Sequence, residues 1–210
     1  MSWNRFVGIT MLLYGLINPV GVIPIYMRLV HRTASGRAHR ILLTASVAVA
    51  VLLITAALFG RPILAFFNVG LDDFRIAGGL LALVIAFDMF QAHYGGFLQT
   101  LEERLEVEDL HAIAITPLAF PLLVGPAELS IMITLSNDLS NIAGRVMLLV
   151  SALVTTTLVV LTLRLAQPIN RILGMTGINV ATRVMALIVA SVGIDFIVTG
   201  LKHALPGLAH

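Results

Sequence analysis

The chain has 210 residues, 59% of them hydrophobic and 11% charged, with a net charge of +2 and a mean hydropathy of +1.00. A soluble domain carries about a quarter charged residues, so this composition excludes a soluble fold and predicts an all-α, polytopic membrane protein; a small net charge without a dense basic stripe excludes nucleic acid as a partner. There is no cysteine, which excludes disulfides, thiolate metal sites and cysteine nucleophiles.

About twenty apolar residues cross a bilayer core. Six segments reach that length, near 6–27, 41–60, 75–93, 112–135, 145–163 and 183–201. The first opens like a signal peptide, but its apolar run continues through Asn18 and Pro19 to Tyr26 without a small-residue cleavage pattern, so a retained span is expected. Within it, "NPVGVIP" from Asn18 to Pro24 sets two prolines and Gly21 inside an apolar run. The basic separator "RLVHRTASGRAHR" leads to a plain second span. In "RPILAFFNVGLDD" an apolar patch near Phe66 is too short to span and reads as a shallow element. The third span, "RIAGGLLALVIAFDMF" from Arg75, carries Gly78, Gly79 and Ala82, which favour close helix packing. An acidic run, "LEERLEVEDL", reads as a solvated loop helix. The fourth span contains "PLAFPLLVGP" from Pro117 to Pro126, flanked by Thr116, Glu128 and Ser130. A plain fifth span, the separator "RLAQPINRILGMTGINVATR" and a sixth span, "RVMALIVASVGIDFI" from Arg183, complete the chain.

Two signals recur. Pro19 and Pro24 enclose Gly21, as Pro121 and Pro126 enclose Gly125, 102 residues on. Arg75 precedes Asp88 much as Arg183 precedes Asp195, at an offset of 108. The order is the same in both halves: a broken span, a plain span, an Arg-to-Asp span. Residues 1–93 then form one three-helix repeat, 94–111 a cytoplasmic acidic linker and 112–210 a second repeat. An odd number of spans turns the second half over, which is the inverted-repeat pattern of secondary transporters. Eight basic residues (Arg28, Arg32, Arg37, Arg40, Arg104, Arg164, Arg171, Arg183) fall on one side and five on the other, so the first side is expected to be cytoplasmic and both termini outside.

Proline removes a backbone donor and clashes with the carbonyl four residues earlier. In hydrocarbon, a freed polar group needs protein, water or a ligand to satisfy it. Broken helices expose N-terminal ends that attract a carboxylate and C-terminal carbonyls that attract a cation or ammonium group. A zwitterionic amino acid carries both charges.

Taken together, "NPVGVIP", "FRIAGGLLALVIAFDMF", "PLAFPLLVGP" and "GMTGINVATRVMALIVASVGIDFIVTGL" resemble the MarC family, also called the neutral amino acid transporter family, over nearly the whole chain. The resemblance implies six spans with discontinuous first and fourth helices, kinship with the lysine-exporter group, and transport of small neutral amino acids such as glycine or alanine. It assigns the site to Asn18, Pro19, Gly21, Pro24, Pro121, Gly125 and Pro126; Thr116 and Ser130 join as polar neighbours. Relatives commonly read Gly-Pro-Gly where this chain reads "GPAEL", so Glu128 is a departure that bears on substrate and coupling.

An acid inside a span costs about 2.5–3.5 kcal/mol on insertion scales. Asp88, Glu128 and Asp195 each fall within about seven ångströms of a predicted span midpoint at 1.5 Å per residue. For each, proton or cation coupling stands beside simple pairing within the bundle. Arg75 and Arg183, at span ends, are expected to snorkel to the interface, and His93 and His203 to lie there too. The histidines show no metal-ligand spacing, and no cofactor is expected. An enzyme is not expected either: zinc and serine-hydrolase motifs are absent, and Asp88 and Asp195 fall roughly 10 Å apart along the membrane normal, too far for a shared proton. The expected function is a carrier in a bacterial or archaeal plasma (inner) membrane, with a neutral amino acid and a coupling proton or Na+ as its small-molecule partners. The alternatives are a channel or an efflux carrier for other solutes; a channel needs a continuous polar lining, which these spans lack.

Overall fold

The computed structural model describes residues 3–31, 38–91, 118–120 and 123–205. The regular elements among them are helices: α1 (Trp3–Ile17), α2 (Pro19–His31), α3 (Ala38–Phe66), α4 (Leu71–Gln91), α5 (Pro126–Asp138), α6 (Ile142–Arg164) and α7 (Ala166–Ala204). Among the described residues, four stretches are long and apolar enough to cross a membrane: Trp3–Met27, His39–Phe66, Ile142–Arg164 and Ala166–Ala204. The acidic run expected after the third span lies outside the described residues, as does His93.

Two helices are longer than their spans predict. Helix α3 runs past Arg61 and Pro62 to Phe66, absorbing the shallow element. It stops in a turn where Asn68 adopts φ 55° and the Val69 and Asn68 N–H groups donate to the Leu64 and Ala65 carbonyls. That pairing is a Schellman cap, and asparagine tolerates the left-handed conformation it needs. Helix α7 begins at Ala166 rather than near 183, so the expected polar separator is itself helical. Gly174 (φ 59°, ψ −179°) divides α7 into two runs, in a backbone conformation that glycine alone adopts without steric penalty. Polar residues argue against burial in hydrocarbon; they do not prevent a helix outside it.

Helices α4 and α7 pack antiparallel against each other. A Cβ built on Gly79 would lie 2.6 Å from the Gly193 carbonyl, and one on Gly200 2.9 Å from the Asp72 carbonyl. Ala82, Ala86, Ala186 and Val189 complete the buried seam. This is small-residue packing of the kind expected from Gly78, Gly79 and Ala82, in which van der Waals contact replaces a hydrophobic driving force that lipid does not supply. Helix α2 packs on α7 and α6, and α5 packs on α4 and α3. Helix α1 lies against α6, where the Tyr14 and Thr162 hydroxyls meet at 2.7 Å and Thr155 donates to the Thr10 carbonyl.

Candidate functional site

The first span is interrupted at one residue. Asn18 separates α1 from α2 and takes φ 44°, a left-handed value that asparagine visits more readily than other non-glycine residues. Its N–H closes α1 on the Tyr14 carbonyl at 3.0 Å. Pro19 follows as the first residue of α2, where a missing N–H is harmless and a fixed φ is already helical. It also denies the Gly15 carbonyl its usual donor. The Gly21 N–H donates to the Asn18 carbonyl at 3.0 Å and lies 3.4 Å from Asn18 Oδ1. Asn18, Pro19 and Gly21 are buried; Pro24 is half-buried and sits inside α2 without interrupting it. The break is therefore a single residue rather than the whole Asn18–Pro24 stretch, because a proline early in a helix forfeits only one bond.

The second interruption precedes α5. Leu118–Phe120 and Leu123 follow π-type turns, and the Val124 N–H donates to the Ala119 carbonyl five residues back at 2.9 Å. Gly125 is extended (φ −104°, ψ −173°), and Pro126 opens α5 as its first residue, the place Pro19 holds in α2. Pro19 and Pro126, 107 residues apart, thus hold the same place at the start of a helix, beside the spacing of 102 at which the Pro–Gly–Pro pattern repeats. Thr116 and Pro121 lie outside the described residues.

Glu128 stands at the third position of α5 and is 4% exposed. Its Oε2 accepts the Gly125 N–H at 2.8 Å, so a side chain of the protein already occupies this helix N-terminus. Helical spacing puts Glu128, with buried Ile131 and Met132, on the face opposite Pro126 and Ser130. Those last two face a cleft of about 410 Å³ between α3, α4 and α5, walled by Leu52, Phe74, Leu81 and Ile133. The cleft is apolar, and the Ser130 hydroxyl is engaged by the Phe74 carbonyl at 3.1 Å. The structure therefore separates Pro126 and Ser130 from Glu128 and groups Asn18, Pro19 and Gly21 at the other break; α1 touches α5. Asp88 and Asp195 are both exposed, on faces of α4 and α7 turned away from the core.

A charged cluster that the sequence does not assemble closes one end of the bundle. Arg75, expected to snorkel, is 5% exposed instead. Its guanidinium grips the Asp138 carboxylate through two bonds of 2.9 and 3.0 Å, and Asp72 and His203 join at 3.8 and 3.5 Å. His203 in turn reaches Asp72 at 3.2 Å. Arg75 sits in the first turns of α4 and Asp138 is the last residue of α5. Each charge has the wrong sign for its own helix end, and each corrects the other. A carboxylate closing a half-helix is the clue that the sequence offers to this pair.

The profile of the MarC family of integral membrane proteins matches residues 3–205. The chain is 36% identical over 197 residues to UPF0056 membrane protein YhcE of Escherichia coli (93% of this chain, 91% of that protein) and 34% identical over 198 residues to UPF0056 membrane protein BU267 of Buchnera aphidicola (94% and 92%). It is 31% identical over 196 residues to UPF0056 membrane protein MJ1677 of the archaeon Methanocaldococcus jannaschii (92% and 94%). No solved structure matches it significantly. The sequence motifs, the interrupted apolar helices and these relatives agree: the chain belongs to the MarC family of integral membrane proteins.

Proposed function

We propose that this chain is a secondary transporter of small neutral amino acids, of glycine or alanine size, working by alternating access in a bacterial or archaeal plasma membrane with both termini outside. The observation that carries the reading is the pair of interrupted helices, each resuming with a proline at its first position, Pro19 and Pro126. Interrupted helices inside a bilayer are tolerated where they line a site.

The finer architecture belongs to the same proposal: six spans in a 3+3 inverted repeat, with the first and fourth discontinuous. Three features support it. The Pro19–Pro126 separation of 107 residues agrees with the 108 between Arg75 and Arg183. Helices α4 and α7 are antiparallel, as the third spans of two opposed halves must be. The second half-helices are placed alike, α2 against α7 and α6, α5 against α4 and α3. Transport is coupled to a proton or Na+, and of the three candidate acids Glu128 alone faces the interior beside a break, whereas Asp88 and Asp195 face outward. The chain is not an enzyme in this reading.

The test is reconstitution. Saturable glycine or alanine uptake with counterflow is expected in proteoliposomes, and Pro19→Ala or Pro126→Ala should cut the rate at least tenfold with membrane insertion intact. Linear, non-saturating flux would make the protein a channel.

A further inference from the structure

Glu128 is the only acidic side chain buried among the described residues, and no Lys, Arg or His among them lies within salt-bridge distance of it. Its surroundings are apolar: Val124, Ala127, Ile131 and Met132 have no exposure at all. The effective penalty for burying an ion is several kcal/mol, and the backbone N–H groups of Gly125 and Glu128 offset only part of it. The rest comes from a positive charge, either a proton on the carboxylate itself or a cation from outside the described protein atoms. The same geometry excludes a negative one. The Gly125 N–H at the start of α5, which would otherwise receive a substrate carboxylate, is occupied by Glu128 Oε2 at 2.8 Å. A second carboxylate there would meet a like charge at close range in a low-dielectric interior.

We infer that Glu128 is the anchor for the substrate's ammonium group, so that a small amino acid meets the α5 break by its amino end and not by its carboxylate. The inference rests on the amino-acid transporter reading. A purely structural role for Glu128 is separable from this one, since glutamine serves the same half of a capping box. Glu128→Gln therefore keeps the bond to Gly125 and removes the charge.

The experiment measures ligand-dependent thermal stabilisation of the purified full-length protein. The probes are glycine, methylammonium (no carboxylate), acetate (no amine) and sodium chloride against choline chloride; a ligand that binds the folded form raises its apparent stability. Glycine and methylammonium are expected to stabilise the wild type, and acetate is not. Glu128→Gln should lose at least tenfold in glycine affinity and all response to methylammonium. Wild-type affinity for glycine in that variant overturns the ammonium anchor and leaves the transporter reading standing. A methylammonium response that depends on Glu128, with no response to any neutral amino acid, does the reverse. Should the variant not fold, the wild-type series decides: stabilisation by acetate but not methylammonium, or by sodium alone, overturns the inference.

Discussion

Arg75 shows how far a side chain's neighbours can override its usual habit. An arginine near a span end ordinarily reaches for water, but this one is enclosed where α4, α5 and α7 converge, and its charge is answered by Asp138. Removing one member of such a pair strands the other. Because Asp138 is itself 44% exposed, the cost of Asp138→Ala should lie near the low end of the range for buried pairs, about 3 kcal/mol. Arg75→Met combined with Asp138→Ala should recover most of that loss. A denaturation double-mutant cycle checks it, and additive losses would mean that the two residues do not act as a pair. His203 is the outer member, 3.2 Å from Asp72 with its side chain 58% exposed. Its replacement by glutamine should change stability by less than about 1 kcal/mol in the same assay.

The helices carry a second kind of specificity, in which absence of a side chain is the requirement. A Cβ on Gly78 would stand 1.9 Å from Ser130 Oγ and 2.4 Å from Ser130 Cβ. Gly78→Ala should therefore destabilise the α4–α5 contact by about 1–3 kcal/mol, and adding Ser130→Gly, which vacates that space, should restore most of it; thermal unfolding of the single and double variants tests this. Such packing was legible beforehand, since Gly78, Gly79 and Ala82 are small residues in an apolar run. The two interruptions were legible as well, because proline and glycine act on the backbone locally whatever surrounds them. Their register was not. The Pro–Gly–Pro spacing repeats at 102 residues, whereas the prolines that open α2 and α5 are 107 apart, and which proline opens a helix depends on the turn before it and not on the spacing alone. Hydropathy gave the depth of Asp88 and Asp195 without their direction, which depends on how α4 and α7 turn against each other. The long start of α7 was hidden because polarity marks where hydrocarbon ends and not where helix ends.

The cluster at one end of the bundle and the breaks within it bear on a single question, which face of the protein is closed. Helix α5 starts at the Gly125–Pro126 break, and its far end is tied to α4 through Asp138 and Arg75. The matching segment of the first half, 28–40, is basic and contains no acid, so that segment does not carry a counterpart of Asp138. The alternating-access proposal then makes the described state closed at the Arg75 end, with this ion pair as the contact that must part. Thr134 lies one turn inside Asp138, is 1% exposed, and has a hydroxyl with no partner among the described residues, which makes it a quiet place for a reporter. Because the chain has no cysteine, Thr134→Cys would be the only thiol. It is expected to react slowly with a membrane-impermeant maleimide. Asp138→Asn should speed that reaction at least tenfold, and a further Arg75→Gln should add little once the latch is gone. Glycine, if it drives the cycle, should change the labelling rate of the Thr134→Cys protein and leave that of the unlatched variant nearly unaltered. Equal labelling with and without Asp138 would show that closure at this end is maintained by the α4–α7 seam and not by the charges beside it.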